Sequence, residues 1–451
     1  MATARTILIL NLLLLINCSI RAQSTVAFEP WSTQYGIIEP VPTVDLDNSL
    51  LTPKKDHRIQ PAQAGYTKNI DFQNIAKKGE WTKPTEDTYL WRISFLVADA
   101  PALNLYLNNL QLGNNDRLFV YDPQKTTILG AFTAQNNTSF LCTQFIPGDQ
   151  IIVEYNTTNK TSHLPFDIHE IGVQLASKNS RGFGGAGDCE VHVNCPEGTN
   201  WQQQRDGVAR ILVKQGNLTF WCTGTLVNNV RADGTPYFLT ANHCGEDADF
   251  EDYAQWLFYF NYQSDDCQQP VFEPELQTIS GSELLAHSVS GVSAGSDFKL
   301  LLLGTDVPSG YHPYYNGWSR STTASPSGVT IHHPQGDVKM ISTYTQPVIS
   351  SDYDSSNENP EGKYWRVYWS ETQNGHGVTE GGSSGSPIFN KEGLVVGSLT
   401  GGGASCTFLE APDYFGKFNV SWKPQTANDS TEMLSVWLDP DDTGVVSMQG
   451  S

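Results

Sequence analysis

A serine attacks a carbonyl only when a base takes its proton and a carboxylate orients that base. Three stretches of this 451-residue sequence hold such groups. Ser384 lies in GVTEGGSSGSPIF, Gly377 to Phe389, on the turn Gly382-Ser383-Ser384-Gly385-Ser386-Pro387 ahead of the apolar pair Ile388-Phe389. Glycines permit the backbone conformations such a turn needs. The turn also frees backbone N–H groups to converge on one spot, as an oxyanion hole requires. Taken alone, the stretch reads equally well as a Gly/Ser loop. His243 follows the apolar run Tyr237 to Ala241 and precedes Cys244. A bond from Cys244 to Cys222 on the preceding strand would fix the histidine in place. Asp297 stands at the mouth of the apolar run Lys299 to Leu303. A partly buried carboxylate there needs a donor such as an imidazole N–H. A lone histidine is more often structural, but these three groups together suit acyl transfer through a serine nucleophile.

The elements that would position these groups are short strands. Val208 to Val213, Thr219 to Val227 and Tyr237 to Ala241 alternate with turn signals, a pattern of barrels or sandwiches. One helix is expected near the end, with Asp429 as cap, Glu432 three residues on, and Met433, Leu434, Trp437 and Leu438 on one face before Pro440. From about Tyr66 to Leu175 a separate all-β, sandwich-like module is expected, with runs at Leu105-Tyr106-Leu107, Leu118 to Tyr121 and Ile151 to Tyr155. It carries no catalytic constellation. Ser24 to about Gln60, rich in Pro, Thr and Asp, reads as a loosely ordered leader. Ser177 to Gly187, with Lys178 and Arg181 in a Gly/Ser tract, reads as an exposed linker, either cleavable or merely flexible.

Composition narrows the class. An apolar fraction of 39% suits a globular chain, and a formal net charge of −21 leaves no basic footprint for nucleic acid. Arg5 and the apolar run Ile7 to Ile16, ending near Ala22-Gln23, read as a signal peptide. No later run is long enough to span a membrane, so an exported, secreted protein is expected. Of eight cysteines, Cys18 leaves with the signal and Cys142 stands alone. Cys189, Cys195, Cys222, Cys244, Cys267 and Cys406 all lie beyond Gly187, an even set that suggests a disulfide framework. None has CxxC spacing, so neither a zinc site nor any other cofactor is expected.

The chain order His243, Asp297, Ser384 is that of chymotrypsin. From about Gly187 onward the chain resembles the secreted bacterial lysyl endopeptidases of the chymotrypsin clan. The matching stretches are CEVHVNCPEG at Cys189, FWCTGTLVNN at Phe220, YFLTANHCG at Tyr237, FNYQSDDC at Phe260, SDFKLLLL at Ser296, VTIHHP at Val329, GVTEGGSSGSPIF at Gly377 and SVWLDPDDTG at Ser435. The first half resembles the family's pro-region less closely, mainly from Gly130 to Tyr155. The resemblance implies a chymotrypsin-like double β-barrel over residues 182–451, a pro-region over 24–181 after a signal peptide of 1–23, and bridges Cys189–Cys406, Cys195–Cys267 and Cys222–Cys244. It implies a Ser384 nucleophile, a His243 base, an Asp297 orienter, and an oxyanion hole from the N–H groups of Gly382 and Ser384. Substrates would be proteins or peptides with lysine before the scissile bond, and the pro-region would be an intramolecular partner.

The specificity signal is thinner. Trypsin-like chains place their pocket acid six residues before the serine, where this chain has Val378. The resemblance puts the acid at Asp413, in a pocket with Thr379, Thr400 and Gly401; Glu380 is the reserve candidate. By itself, Asp413 between Pro412 and Tyr414 reads as a turn residue. Known relatives carry a histidine where this chain has Thr400, and a stacking tryptophan in the loop where it has only Tyr353. Ser383 stands where trypsin-type zymogens carry an aspartate that pairs with a new N-terminus, so that switch is missing. Silencing would come from the N-terminal module, released by cleavage at Lys178 or Arg181. His332-His333 reads as structural, since neighbours on a strand face opposite ways, and Glu246 to Asp252 as a solvated acidic loop. Two other classes compete with an endopeptidase: a protease-like binding protein without turnover, and a binder acting through the β module.

Overall fold

The computed structural model describes residues 28–48, 61–175, 182–288, 295–424 and 429–451. The expected signal segment and the basic pair Lys178 and Arg181 lie outside the described residues.

The expected double β-barrel is present. In the first barrel-like sheet, strands run in the order Gln277–Ser280, Leu257–Phe260, Val208–Gln215, Leu218–Leu226, Tyr237–Ala241, Phe298–Leu303 and Ser282–His287. Their inward side chains, among them Ile211, Phe238, Phe258 and Leu301, are fully buried together. The second sheet runs Met340–Tyr344, Gly328–His332, Pro387–Asn390, Val395–Gly402, Asp413–Lys417, Tyr364–Val367 and Ile349–Ser351. Its core holds Tyr344, Val378, Ile388 and Phe415. Leu239, Phe298, Trp318 and Phe389 pack between the two sheets. Three bridges, Cys189–Cys406, Cys195–Cys267 and Cys222–Cys244, form as the resemblance implied.

The N-terminal module is a sandwich. One layer comprises Thr43–Asp45, Glu80–Thr85, Thr88–Leu96, Gln150–Thr157, Arg117–Tyr121 and Ile128–Phe132; the other comprises Ala62–Asn69, Asp167–Gln174, Ala102–Leu110 and Thr138–Cys142. Alternation sorts the second layer. Leu103, Leu105 and Leu107 face the sandwich core with Trp91, Phe95 and Val153. Tyr106 and Cys142, on the other face, pack against Trp221 and Tyr259 of the first barrel. Strand Ala62–Asn69 pairs antiparallel with Leu218–Leu226, so this layer and the first barrel form one continuous sheet. Nothing in the sequence pattern points to that joint, because strand partners are chosen by edge availability and not by local pattern.

The expected C-terminal helix is present and short, Ser435–Leu438; its cap and two further expectations need correction. Asp429 does cap, but it caps the separate 3₁₀ turn Ser430–Glu432, and extended Met433 interrupts the two. Leu434 and Leu438 are still buried, so the apolar spacing was satisfied by packing without one continuous helix. Within the leader, residues 28–48 are docked, not loose: Thr43–Asp45 pairs with Ser94 to Leu96, and Ser32 N–H donates to the buried carboxylate of Glu154. Within the linker, residues 182–187 are tied down, since Gly184 and Ala186 N–H donate to the two oxygens of Asp337, and Gly187 N–H donates to Glu380.

Candidate active site

Strand register brings His243 and Asp297 together. Ala241 pairs with Phe298, so the turn leaving one strand lies beside the turn entering the other. Asp297 Oδ2 sits 2.7 Å from His243 Nδ1, and Asp297 Oδ1 accepts the His243 backbone N–H at 3.0 Å. The aspartate adopts a left-handed φ of 54°, an uncommon conformation for a residue with a side chain. Both side chains are buried. The Cys222–Cys244 bridge then carries the histidine turn to the serine. Thr223 N–H donates to the Ser384 carbonyl at 2.8 Å, and Cys244 Sγ lies 3.7 Å from that same oxygen. His243 Nε2 is buried and has no hydrogen-bond partner among the described residues. Its bond to a serine hydroxyl is not made here; such contacts often tighten only when substrate binds.

The strand that follows Asp297 also braces the histidine turn. Buried Lys299 donates to the Cys244 and Gly245 carbonyls at 2.6 and 2.8 Å, with Tyr253 and Trp256 beside its ammonium. Burial pulls this lysine down to about 7, against the opposing pull of Asp297 and Glu246. A single lysine opening the run Phe298 to Leu303 was the available signal for it.

The serine turn leaves backbone N–H groups unengaged. Neither Gly382 N–H nor Ser384 N–H makes a hydrogen bond among the described residues, while Gly382 C=O is turned away to accept the Thr223 hydroxyl. Gly385, with φ 83°, leaves no room for a side chain: a Cβ would lie 2.1 Å from Thr240 Oγ1 and 2.4 Å from the Thr223 carbonyl. That close approach lets the turn sit directly on the first barrel.

Asp413 is buried at the start of strand Asp413–Lys417. Its Oδ2 accepts from Trp369 Nε1–H at 2.7 Å and from the Thr379 hydroxyl at 2.8 Å, and Oδ1 accepts from Ala404 N–H at 3.3 Å. Burial pushes the carboxyl up to about 6 in spite of these donors. Gly402 pairs with it and lies so close that a Cβ there would meet Oδ1 at 2.3 Å. Thr379 therefore touches the acid directly. Thr400 and Gly401 lie on the adjoining strand, with Tyr353 Oη 3.5 Å from the position of a Gly401 Cβ. The Tyr353 ring also packs on Tyr364 and Tyr414. Val378 is an apolar core residue. Glu380, the reserve acid, is engaged by Gly187 N–H instead. Trp369 went unread in the sequence because nothing local links it to a residue 44 positions away.

The remaining candidates have structural partners. His333 Nδ1 bonds the Asp337 carbonyl, and His332 contacts Ser383 and Ser342. The acidic run is not wholly solvated: Asp252 is buried, where it pairs with Lys214 at 2.9 Å and accepts Gly216 N–H. Glu170 of the N-terminal module approaches the same ammonium at 3.3 Å. Burial would lower Lys214, but Glu170 and Asp252 together hold it above the usual lysine range. Ala62 of the module lies against the serine turn, 3.2 Å from the position of a Gly381 Cβ.

Comparison with known proteins shows the family. Residues 183–416 match the family model of the lysyl endopeptidase C-terminal domain. A lysyl endopeptidase of Pseudomonas aeruginosa is 30% identical over 250 residues, which cover 53% of this chain and 51% of that protein. The match thus spans about half the length of that relative. Among solved structures, a thermostable serine protease from an extremophilic microorganism is similar with a TM-score of 0.34 and 14% identity, over 48% of this chain and 92% of that one. The Anisep protease of Arthrobacter nicotinovorans gives 0.33 and 15%, over 47% and 90%.

Proposed function

This chain belongs to the lysyl endopeptidase family, and from that premise we propose that it is a secreted serine endopeptidase cutting peptide bonds after lysine. Ser384 Oγ attacks the scissile carbonyl. His243 Nε2 takes the hydroxyl proton and returns it to the leaving amine. Asp297 holds the imidazole with Nδ1–H inward and stabilises the imidazolium. The N–H groups of Gly382 and Ser384 receive the oxyanion. Water then repeats the sequence on the acyl-enzyme. The observation that carries this reading is the buried His243–Asp297 pair at 2.7 Å, with Nε2 left unpartnered.

Lysine selectivity is supported by Asp413, a buried carboxylate whose donors leave it available to a cation, with Thr379, Thr400 and Gly401 as neighbours in the pocket. Export is supported by the three bridges, which persist in oxidising compartments. Residues 24–181 act as a pro-region and intramolecular partner in this account. Their support is the strand pairing with Leu218–Leu226 and the position of Ala62 at Gly381.

Ser384→Ala tests the mechanism. The variant should keep its fold by circular dichroism and lose turnover by at least about 10⁴-fold. Hydrolysis that survives in the folded variant would remove Ser384 from the nucleophile's role.

A further inference from the structure

We propose that His332 is a positioning residue that holds the oxyanion turn in working shape through Ser383 and Ser342, with no charged N-terminus taking part. The inference rests on the reading of Ser384 as nucleophile and Gly382 N–H as oxyanion donor.

The turn needs a brace. Gly382 and Gly385 both have positive φ, 98° and 83°, so Ser383 and Ser384 are suspended between two residues in unusual conformations. The residue before the nucleophile is a neutral hydroxyl, which cannot form an ion pair with an ammonium. His332, at the end of strand Gly328–His332, is fully buried behind this turn. Its Nδ1 lies 2.7 Å from Ser383 Oγ and its Nε2 lies 3.0 Å from Ser342 Oγ.

The neighbours assign every proton. Ser342 donates its hydroxyl to the Val378 carbonyl at 2.7 Å, so its oxygen accepts from Nε2–H. Nδ1 is then the acceptor and takes the Ser383 hydroxyl. The Ser383 oxygen accepts Glu380 N–H at 3.2 Å. One imidazole thereby ties Val378 and Glu380, where the turn begins, to Ser383 within it. Main-chain bonds from Ser383 N–H to Glu380 C=O and from Ser386 N–H to Ser383 C=O close the same loop.

This pattern needs a neutral ring, with one donor and one acceptor. Burial supplies that by pushing His332 down to about 3. Glu190 Oε2 lies 3.7 Å from Nε2, beyond hydrogen-bond reach, and burial raises that carboxyl well above its usual range, which weakens any ion pair there. The brace spans residues of the second barrel alone, so it is already made in the uncut chain. The oxyanion hole is therefore built before any cleavage, and silencing falls to whatever covers the cleft.

The test uses processed, purified enzyme and the variants Ser383→Ala, His332→Ala and His332→Gln. Ser383→Ala should lower kcat about 10- to 100-fold, the scale of a misplaced or weakened oxyanion donor, with KM changed less than about twofold. A peptide aldehyde, whose hemiacetal oxygen enters the hole, should weaken by the same factor as kcat/KM. A small alkylamine bound only in the specificity pocket should keep its inhibition constant. His332→Gln, whose amide offers one acceptor and one donor, should retain more kcat than His332→Ala. Wild-type kcat in Ser383→Ala would overturn the proposal, as would equal weakening of both inhibitors. Ser383→Ala removes a single oxygen and carries the test if His332→Ala fails to fold. An inert Ser384→Ala beside a fully active Ser383→Ala sinks only this inference; an active Ser384→Ala sinks the functional reading beneath it.

Discussion

At the residue scale, Asp413 shows burial and hydrogen bonding competing over one charge. Burial favours the neutral acid, while Trp369, Thr379 and Ala404 favour the carboxylate, and the result is a group near 6. A lysine ammonium needs the ionised form for a charge-assisted bond. The sign follows: as pH falls through about 6 the pocket neutralises and cations should bind less well. Inhibition by a small primary alkylamine isolates this, because it requires no proton transfer at His243. Its inhibition constant should rise about tenfold per pH unit below about 6 and level off above about 7. A flat constant across that range would place the charge elsewhere. The triad candidates were legible because each sits at the end of a recognisable apolar run. Asp413 was not legible without the resemblance, since Pro-Asp-Tyr reads as a turn and its partners are distant in sequence. Lys299 and the His332 brace were hidden for a related reason: their partners are main-chain carbonyls or serines, which carry no motif.

At the scale of elements, strand existence was easy to read and strand partnership was not. Short apolar runs between turn signals marked Leu105 to Leu107, Ile151 to Tyr155 and Tyr237 to Ala241, yet nothing in them joined Ala62–Asn69 to Leu218–Leu226. That joint is locked by a buried charge cluster in which Glu170 from the module and Asp252 from the barrel share Lys214. If the module stays bound after the connecting segment is cut, Glu170→Gln should loosen it. Removing one charge from a buried ion pair is strongly destabilising, about 3 kcal/mol or more, so retention should weaken by about 100-fold or more. Size-exclusion chromatography of the cleaved protein reads this directly, with co-elution in the wild type and separation in the variant. Separation of the wild-type pieces on cutting, or unchanged co-elution in the variant, would deny Glu170 that role. The C-terminal helix is present but shorter than its apolar spacing suggested, because tertiary packing met that spacing with two short turns.

At the scale of the whole molecule, the first barrel-like sheet carries His243 and Asp297 at its strand ends and the second carries Ser384 and Asp413. The N-terminal sandwich extends the first barrel's sheet and brings Ala62 against the serine turn. The most direct test of the central claim is cleavage of matched peptides that differ only in the residue before the scissile bond, using the processed chain. Lysine, arginine, glutamate and leucine cover the chemistries of interest. The account predicts rapid cleavage after lysine, little after arginine, and none after glutamate or leucine, with the lysine preference lost in Asp413→Asn. Preferential cleavage after leucine or glutamate, or lysine preference unchanged in Asp413→Asn, would contradict it.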